Sequence, residues 1–366
     1  MPDEKKYWIG FNLVRGIGAV RFKQIRSFFG DLSLAWNAPV EAFREAGLPE
    51  RALTNFMQLR EDIDLDALYD SILEKDAQVL TLLDGGYPKL LKQIDQAPPV
   101  LYVRGTLLPA DDFAIAMVGT RRISAYGQQI TRDTSLYLAG HGLTIVSGLA
   151  RGVDALAHQS ALQAGGRTIA VLGSGVDVIY PPEHRQLAEA IIENGAIISD
   201  YPMGTQPEGV NFPPRNRIIS GLSLATVVVE AGERSGALIT ADFAVEQGRD
   251  VFAVPGNILS PASKGTNRLI QKGAYALVSP QDVLDVLDLT QVEDYKTARQ
   301  VLPADTTEAK ILQSMDYEPV HVDEICNEVG LAVEKVTAAL TMMELKGLVQ
   351  HVGGMRYAAV REINKK

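Results

Sequence analysis

Six short apolar runs, separated by glycine-containing turns and amphipathic segments, dominate the middle of the sequence. Between residues 113 and 256 they read FAIAMVG, LTIVSGL, RTIAVLGSG, AIISDYP, ATVVVEA and DVFAVPG. Runs that are too apolar to alternate suit strands buried on both faces of a parallel sheet, with crossover helices between them. The pattern predicts a doubly wound α/β domain, in which ligands bind beyond the carboxyl ends of the strands.

The segment before this domain has the apolar spacing of short helices, and we expect an all-α domain at residues 1–78. Gly16-Ile17-Gly18, followed by Arg21, interrupts the helices. Such a turn is typical of a helix-hairpin-helix motif, in which glycine lets the backbone approach a phosphate. A tight turn without any ligand has the same residues. An accessory DNA contact is therefore one of two interpretations.

The end of the chain has the pattern of a winged helix at residues 305–366, after a linker at residues 288–304 that lacks an apolar face. Three helices are indicated by TEAKILQSM, VDEICNEVG and VEKVTAALTMMELKGLV, and a hairpin with Gly353-Gly354 at its turn follows. The predicted recognition helix, residues 332–346, carries two glutamates and two lysines and so offers no basic face to a major groove. We expect protein contact or a structural role there.

Charge and composition limit the classes of function. The net charge is −10 and the pI is near 5.1, which argues against a broad basic face that coats duplex DNA. The single cysteine, Cys326, has no partner for an internal disulfide, and no Cys/His spacing indicates a zinc site. No run reaches the roughly 18 apolar residues of a membrane span. We expect a cytoplasmic protein with no metal and no membrane span.

The first motif with chemical meaning follows the first predicted strand. Gly119 and Thr120 form a turn before a helix, and Arg121 and Arg122 come next. Free N–H groups at a helix start favour an anion, and a guanidinium adds a bidentate contact to phosphate. A surface arginine beside a structural glycine turn is the alternative.

The next two junctions give weaker signals. Gly148 lies in the segment SGLARGVD, which ends at Asp154, and His158 follows four residues later. Asp154 and His158 suggest an acid/base pair or a helix-start aspartate beside a satisfied histidine. The segment GSG at residues 173–175 would need a glycine at position 178 to complete a dinucleotide-binding motif, and Val178 stands there. A nicotinamide-linked dehydrogenase is disfavoured.

The most informative segment places an aromatic residue beside arginines. Phe212 offers a ring for a base, or belongs to the core, and Arg215, Asn216 and Arg217 begin the next helix. Since the two arginines point in different directions from one helical turn, we expect one to reach a ligand and the other to hold the fold together. Gly236 opens a later helix, another anion-receptive terminus.

These motifs, taken in order, resemble the DprA/Smf family of DNA-processing proteins. The segments that carry the resemblance are DGGYP (84–88), PPVLY (98–102), VGTR (118–121), SGLARGVD (147–154), AVLGSGVDVIYP (170–181), FPPRNRIISGL (212–222) and SGALIT (235–240). The resemblance implies an extended Rossmann-like domain, here residues 79–287, between a helical and a winged-helix domain. It also implies single-stranded DNA binding, homodimers and RecA loading in natural transformation, without cofactor or catalysis.

By the same resemblance, the turn at Gly119, Thr120 and Arg121 would line the DNA pocket, with Phe212 and the 215–217 helix start nearby. Leu269 and Ile270 would lie near the dimer contact. One departure concerns the residues after Tyr180-Pro181, where some relatives place a lysine and this chain has Pro182-Glu183. Whether Arg185 substitutes for that lysine is open.

Two other functions compete with DNA binding. A nucleoside monophosphate phosphoribohydrolase would hold a phosphate at similar helix starts, but such enzymes share a P-G-G-x-G-T segment, and residues 230–236 read EAGERSG. A regulatory partner acting through the winged helix is the other alternative. The sequence does not identify the surface that would meet RecA.

Overall fold

The computed structural model describes residues 2–289, 311, 320–345 and 349–359. The chain divides into two units, Met1–Leu289 and Thr290–Lys366. The predicted linker and the first predicted winged-helix helix fall almost wholly outside the described residues. In the part that is described, no helix is long and apolar enough to cross a membrane.

Short helices form the N-terminal region, as the sequence predicts, and the structure has six of them. They are α1 (Pro2–Leu13), α2 (Ala19–Phe29), α3 (Leu32–Asn37), α4 (Val40–Glu45), α5 (Glu50–Asp62) and α6 (Leu65–Leu73). The Asp31 and Asp64 carboxylates accept backbone N–H groups at the starts of α3 and α6. Aromatic rings fill the core: Phe11 stacks on Phe56 with ring centroids 5.2 Å apart and meets Trp36 edge-on at 5.2 Å.

The predicted glycine turn lies between α1 and α2. Gly16 has φ +104°, which favours glycine. The guanidinium of Arg21 donates to the Gly16 carbonyl oxygen and so closes the turn from within. Arg21 therefore stabilises the hairpin itself.

Nine strands form one sheet. They are β1 (Gln78–Thr81), β2 (Val100–Gly105), β3 (Ala114–Val118), β4 (Thr144–Ser147), β5 (Thr168–Val171), β6 (Gly195–Ser199), β7 (Ala225–Val228), β8 (Asp250–Ala253) and β9 (Tyr275–Ala276). Their order is β1-β2-β6-β5-β4-β3-β7-β8-β9. Neighbours from β6 to β9 pair in parallel, and β1 and β2 add antiparallel strands at one edge. All six predicted strands are confirmed as β3 to β8, in an extended Rossmann-like sheet.

Helices cover both faces of the sheet. They are α7 (Lys89–Lys92), α8 (Ala125–Gly140), α9 (Val153–Gln163), α10 (Arg185–Asn194), α11 (Phe212–Gly221), α12 (Gly236–Glu246), α13 (Lys264–Gln271) and α14 (Gln281–Val286). The chain winds outward from β3 to β6 and then returns to β7, on the other side of β3. Strands β3 and β7 therefore meet at the topological switch point, where such sheets open a crevice.

The helical region and the sheet share one hydrophobic core. Side chains of the first helices cluster with sheet residues such as Ala170 and Ile197. Polar contacts join the same surfaces, because Lys5 Nζ lies 3.1 Å from an Asp84 carboxylate oxygen and the Tyr102 hydroxyl donates to Asn12 Oδ1 at 3.0 Å. The segments predicted as separate domains, 1–78 and 79–287, thus pack into a single unit.

The second unit contains β10 (Val320–His321), α15 (Val322–Val329), α16 (Val333–Leu345), β11 (Val349–Gly353) and β12 (Arg356–Ala359). The strands form a sheet in the order β10-β12-β11, so the two later helices and the wing of a winged helix are present. The hairpin turn is Gly354-Met355, one residue beyond the predicted Gly353-Gly354. Both turn residues have positive φ, as a two-residue hairpin turn requires.

Candidate nucleic-acid interface

A cleft of about 710 Å³ opens at the carboxyl ends of β3 and β7, and we call it the switch-point cleft. Its walls come from the turns after β3 and β4, from the start of α11 and from the start of α12. Of the predicted site residues, it brings together Gly119, Thr120, Arg121, Arg122, Phe212, Arg215, Asn216 and Gly236. The crevice therefore forms where the doubly wound topology predicts it.

The segment of residues 119–124, which we call the Arg121 loop, projects two cations from one wall. The Arg121 and Arg122 side chains are exposed, whereas the backbone before them is held. Thr120 N donates to the Glu230 carbonyl oxygen at 2.8 Å, and Gly119 has no room for a Cβ, which would lie 2.5 Å from Val153 Cγ2. The glycine lets the loop pack against the start of α9, and the arginines then reach solvent.

Glu230, at the end of β7, holds both ends of the Arg121 loop. Besides the contact at Thr120, its carboxylate accepts Ser124 N at 2.9 Å and the Ser124 hydroxyl. The side chain is only 4% exposed, so it does not present charge to the cleft. A buried carboxylate with charge-assisted hydrogen bonds gives the loop one conformation.

An aromatic pair faces the arginines. The half-buried ring of Phe212 has the Arg121 guanidinium carbon 5.6 Å from its centroid, and the Tyr180 ring lies 5.8 Å away at 35°. Tyr180 is 37% exposed. The back of Phe212 packs on Gly173, where a Cβ would come within 2.9 Å of the ring. The GSG segment thus makes room for Phe212, and the exposed aromatic surface in the cleft is available to a planar ligand.

Arg215 reaches the cleft wall, but its hydrogen bonds are directed inward. Its guanidinium donates to the Gly148 carbonyl oxygen at 3.0 Å and to the Val171 carbonyl oxygen, at the ends of two neighbouring strands. It is 4% exposed, and burial lowers its pKa to about 10. Burial also raises the pKa of the nearby Asp154 carboxyl, which the charges of Arg215 and Arg121 oppose. Arg215 therefore ties strand ends together beneath the cleft.

Gly148 lies behind the cleft wall. A Cβ there would lie 2.7 Å from Arg215 Nη2 and 2.8 Å from Asp154 Oδ2, and Gly148 N donates to that same carboxylate at 3.1 Å. Its predicted direct contact with DNA is not supported by this placement, because the residue is buried. Gly148 instead makes space for the guanidinium and the carboxylate.

Arg217 lies outside the cleft. Its guanidinium forms an ion pair with Asp200 at 2.8 Å and donates to the Gln96 carbonyl oxygen at 3.1 Å. The expectation that one of the two helix-start arginines holds the fold together therefore describes Arg217. The other part of that expectation, that the second arginine reaches a ligand, is not supported for Arg215, because backbone carbonyl groups already accept hydrogen bonds from its guanidinium.

The start of α12 forms the opposite wall. Ser235 caps the helix by accepting Ala237 N at 3.3 Å, and Asn216 Nδ2 donates to the Gly236 carbonyl oxygen at 3.3 Å. Gly236 is exposed, with open space where a Cβ would stand. In the first turn of α11, by contrast, prolines at 213 and 214 lack N–H groups. The α12 terminus is thus the better donor of backbone N–H groups to an anion.

Asp154 and His158 do not form an acid/base pair. Asp154 accepts the backbone N–H of Gly148, whereas His158 Nδ1 lies 2.6 Å from Thr168 Oγ1. Burial lowers the pKa of His158 to about 3, so the ring is neutral. A helix-start aspartate beside a buried histidine is the arrangement found. Within residues 2–289 and the described parts of the second unit, no group of His, Cys, Asp and Glu could hold a metal ion.

The remaining predicted residues lie away from the cleft. After Tyr180-Pro181, Glu183 pairs with Arg151 at 2.6 Å, and Arg185 begins α10 on the surface without lining the cleft. Leu269 and Ile270 are half-buried on α13, and Leu269 packs against the core. Ala274 N, directly before the edge strand β9, donates to the Leu269 carbonyl oxygen at 3.0 Å, so Leu269 lies near that edge of the sheet.

Two residues of the site, Tyr180 and Glu230, have no role in the sequence prediction. Both stand in motifs that the sequence displays, at the end of AVLGSGVDVIYP and in ATVVVEA. An aromatic residue directly after a strand-end motif is the signal that identifies Tyr180. The role of Glu230 depends on contacts with residues 120 and 124, more than 100 positions away, which no local pattern reports.

Comparison with known proteins identifies both parts of the chain. Residues 78–288 match the model of the family "DNA recombination-mediator protein A", and residues 296–355 match the DprA winged helix domain. Protein Smf of Synechocystis sp. is 38% identical over 97% of this chain and 98% of its own length. The DNA processing protein DprA of Streptococcus pneumoniae is 44% identical over 59% of this chain and 77% of its own.

Solved structures agree with these matches. The structure of DprA from Streptococcus pneumoniae superposes with a TM-score of 0.68 at 37% identity, covering 76% of this chain and 97% of that one. DprA from Helicobacter pylori, described by its single-stranded DNA binding mode, superposes with a TM-score of 0.52 at 32% identity, covering 57% and 95%. This chain belongs to the DprA/Smf family of DNA-processing proteins.

Proposed function

We propose that this protein binds single-stranded DNA in the switch-point cleft. The observation that carries the proposal is the exposed Arg121 beside the ring of Phe212, which contacts the Tyr180 ring, with the exposed Arg122 in the same cleft. Guanidinium groups neutralise phosphates while aromatic faces stack on bases, and neither contact depends on base identity. The single-stranded DNA binding mode described for DprA from Helicobacter pylori adds support.

In this proposal, the more exposed residues of the cleft contact DNA and the more buried ones hold them in position. Arg121 and Arg122 contact phosphates, Phe212 and Tyr180 take a base, and the start of α12 at Gly236 donates backbone N–H groups to a further phosphate. Arg215, Gly148 and Asn216 position these groups. Since few cations face the cleft, the logarithm of affinity should fall only gently with the logarithm of salt, by roughly 0.7 for each neutralised phosphate.

The wider role follows from the family resemblance. In this proposal the protein protects incoming single strands and loads the RecA recombinase onto them, in natural transformation or general recombination. It acts as a homodimer in the cytoplasm, with Leu269 and Ile270 near the contact between copies, and it uses no cofactor and catalyses no reaction. Exposed apolar side chains near these residues, Tyr275 and Val278, suit a surface that meets a second copy.

The phosphoribohydrolase alternative has less support. At the junction after β7, where such enzymes need a functional glutamate, the Glu230 carboxylate is buried and bonded to Ser124. Incubation with AMP and assay for free adenine tests the alternative, and turnover would favour the enzyme.

The decisive experiment on DNA binding is charge reversal at Arg121. We expect Arg121→Glu to weaken binding of oligo-dT by roughly 10- to 150-fold, because a charge-assisted contact contributes about 1.5–3 kcal/mol and each 1.4 kcal/mol is tenfold. Electrophoretic shift and fluorescence anisotropy measure the effect. Arg132→Glu, an exposed site on α8 away from the cleft, makes the same charge change as a control. A folded Arg121→Glu protein with wild-type affinity would refute the cleft as the DNA site.

A further inference from the structure

A second groove, of about 600 Å³, lies between the N-terminal helices and the sheet domain, and we call it the junction groove. Lys23 and Arg26 project from α2 on one wall, and Lys92 projects from the end of α7 on the other. Asp95 is the one carboxylate among the described lining residues. Both walls belong to the unit Met1–Leu289, so the groove is part of one packed body.

The cations of the junction groove lack acidic partners. No ion pair joins Lys23, Arg26 or Lys92 to a carboxylate in the described part of the chain. Lys23 and Lys92 are exposed, and like charges that line one groove repel one another. In a chain of net charge −10, three unpaired cations around a single carboxylate indicate an anionic ligand.

The floor of the groove is apolar. Leu82, Ala97 and Pro99 line it with Leu83, whose side chain is 56% exposed. The Arg26 guanidinium carbon lies 5.6 Å from the centroid of the Trp8 ring. Cations at the rim over an apolar floor suit a strand whose phosphates lie outward and whose bases lie inward.

A smaller cleft lies next to the junction groove, on the side of α11 and α12. Ile94 and Asp95 line both the junction groove and a cleft of about 320 Å³, whose other wall includes Arg217, Phe243 and Arg249. Arg217 belongs to α11 and Phe243 to α12, the two helices whose starts form the switch-point cleft, whereas Arg249 follows the end of α12. The small cleft lies near the end of α12 and the switch-point cleft at its start, so both lie along the same pair of helices.

We propose that the junction groove is a second contact for single-stranded DNA, which a strand leaving the switch-point cleft reaches along α11 and α12. This inference rests on the proposed function. It places the contribution of the helical region on the side chains of α2, opposite Lys92 of the sheet domain, whereas the glycine turn is closed by its own Arg21. A short strand occupies the first cleft alone, and a longer strand occupies both.

The test compares two strand lengths on the full-length protein. We expect Lys23→Glu/Arg26→Glu to leave the affinity for oligo-dT of about 6 nucleotides within twofold, and to weaken binding of about 20 nucleotides by tenfold or more. Arg15→Glu/Arg51→Glu reverses two exposed cations elsewhere in the helical region and should leave both affinities unchanged. Unchanged binding of the long strand, equal loss on both strands, or the same loss in the control would each overturn the inference.

Tryptophan fluorescence provides an independent signal. The chain has two tryptophans, so Trp36→Phe leaves Trp8, beneath Arg26, as the only emitter. The long strand should change this emission and the short strand should not. If an acidic peptide such as poly-Glu changed it while the long strand did not, the groove would be a protein site and the inference would be wrong. If the wild-type protein binds neither strand, the proposed function itself is refuted. This outcome differs from failure of the junction-groove inference, in which the wild-type protein still binds DNA.

Discussion

At the scale of single residues, exposure separates the groups that can meet a ligand from those that support them. Arg121 and Arg215 both lie near Phe212, with guanidinium carbons 5.6 Å and 5.9 Å from its ring centroid. Only Arg121 is exposed, because strand-end carbonyl groups already accept hydrogen bonds from Arg215. Likewise, Tyr180 is exposed and can contact a ligand, whereas His158 is buried and cannot.

Tyr180 should contribute stacking rather than charge neutralisation. Its replacement by alanine removes one aromatic face from the cleft, and base–aromatic stacking contributes about 1–3 kcal/mol. We expect Tyr180→Ala to weaken oligo-dT binding by roughly 5- to 150-fold while the salt dependence stays as in wild type. Titrations at several salt concentrations check this. A shallower salt dependence would mean that Tyr180 positions a phosphate contact instead.

His158 should make the stability of the first unit depend on pH. The folded protein holds the pKa of His158 near 3, whereas an unfolded chain takes up a proton below about 6.5. Below about pH 6.5 the unfolded state therefore binds one proton more than the folded state. The free energy of unfolding is unaffected by His158 above that pH and decreases as the pH falls toward 3. Between pH 7 and pH 5 the loss is about 2 kcal/mol.

Urea denaturation followed by tryptophan emission measures that loss. The His158→Gln variant cannot take up this proton, so its free energy of unfolding should fall less over the same pH range. Equal falls in both proteins would show that other groups cause the pH dependence.

At the scale of elements, the sheet topology decides which turns share the site. The turns after β3 and β7 are separated by more than 100 residues, yet they meet because the strands are neighbours at the switch point. The sequence predicts the six central strands β3 to β8 and the turns that follow them, since buried runs and glycine junctions are local patterns. It does not predict the outer strands β1, β2 and β9. It does not predict which buried side chain joins the turns, and Glu230 has that role.

Glu230→Gln should loosen the Arg121 loop. Glutamine keeps the size but loses the charge and one acceptor oxygen for Ser124, so we expect about 1–3 kcal/mol less stability. Hydrogen exchange at residues 119–124 should become faster and oligo-dT affinity should fall several-fold. Glu233→Gln, at an exposed position three residues later, is the matched control. Unchanged exchange in the loop would exclude this positioning role.

At the scale of the whole molecule, the chain separates into two units, Met1–Leu289 and Thr290–Lys366. The first unit contains both grooves and its own hydrophobic cores. On the described surface of the winged helix, Asp323, Glu324 and Glu334 are exposed beside Lys335 and Arg356. That surface carries no basic face for duplex DNA, which agrees with the expectation from the sequence.

Truncation after Leu289 should leave strand binding intact. Residues 1–289 form a unit with complete cores, so we expect them to fold and to bind oligo-dT within about twofold of the full chain. Circular dichroism and anisotropy measure the two properties. A large loss of affinity in the folded fragment would place part of the DNA site in the second unit. Loss of RecA loading alone would assign the winged helix a role in protein contact.

The sequence by itself determined the six central strands, the glycine turns at their ends and the family, because apolar runs and short motifs are encoded locally. Only the tertiary structure decided which cations are available to DNA. Arg121, Arg215 and Arg217 look alike in the sequence, but the acceptors of the last two belong to distant segments: the Val171 carbonyl, Gln96 and Asp200. Burial and hydrogen bonding depend on neighbours in space, so only the fold distinguishes the exposed arginine from the two that are already bonded.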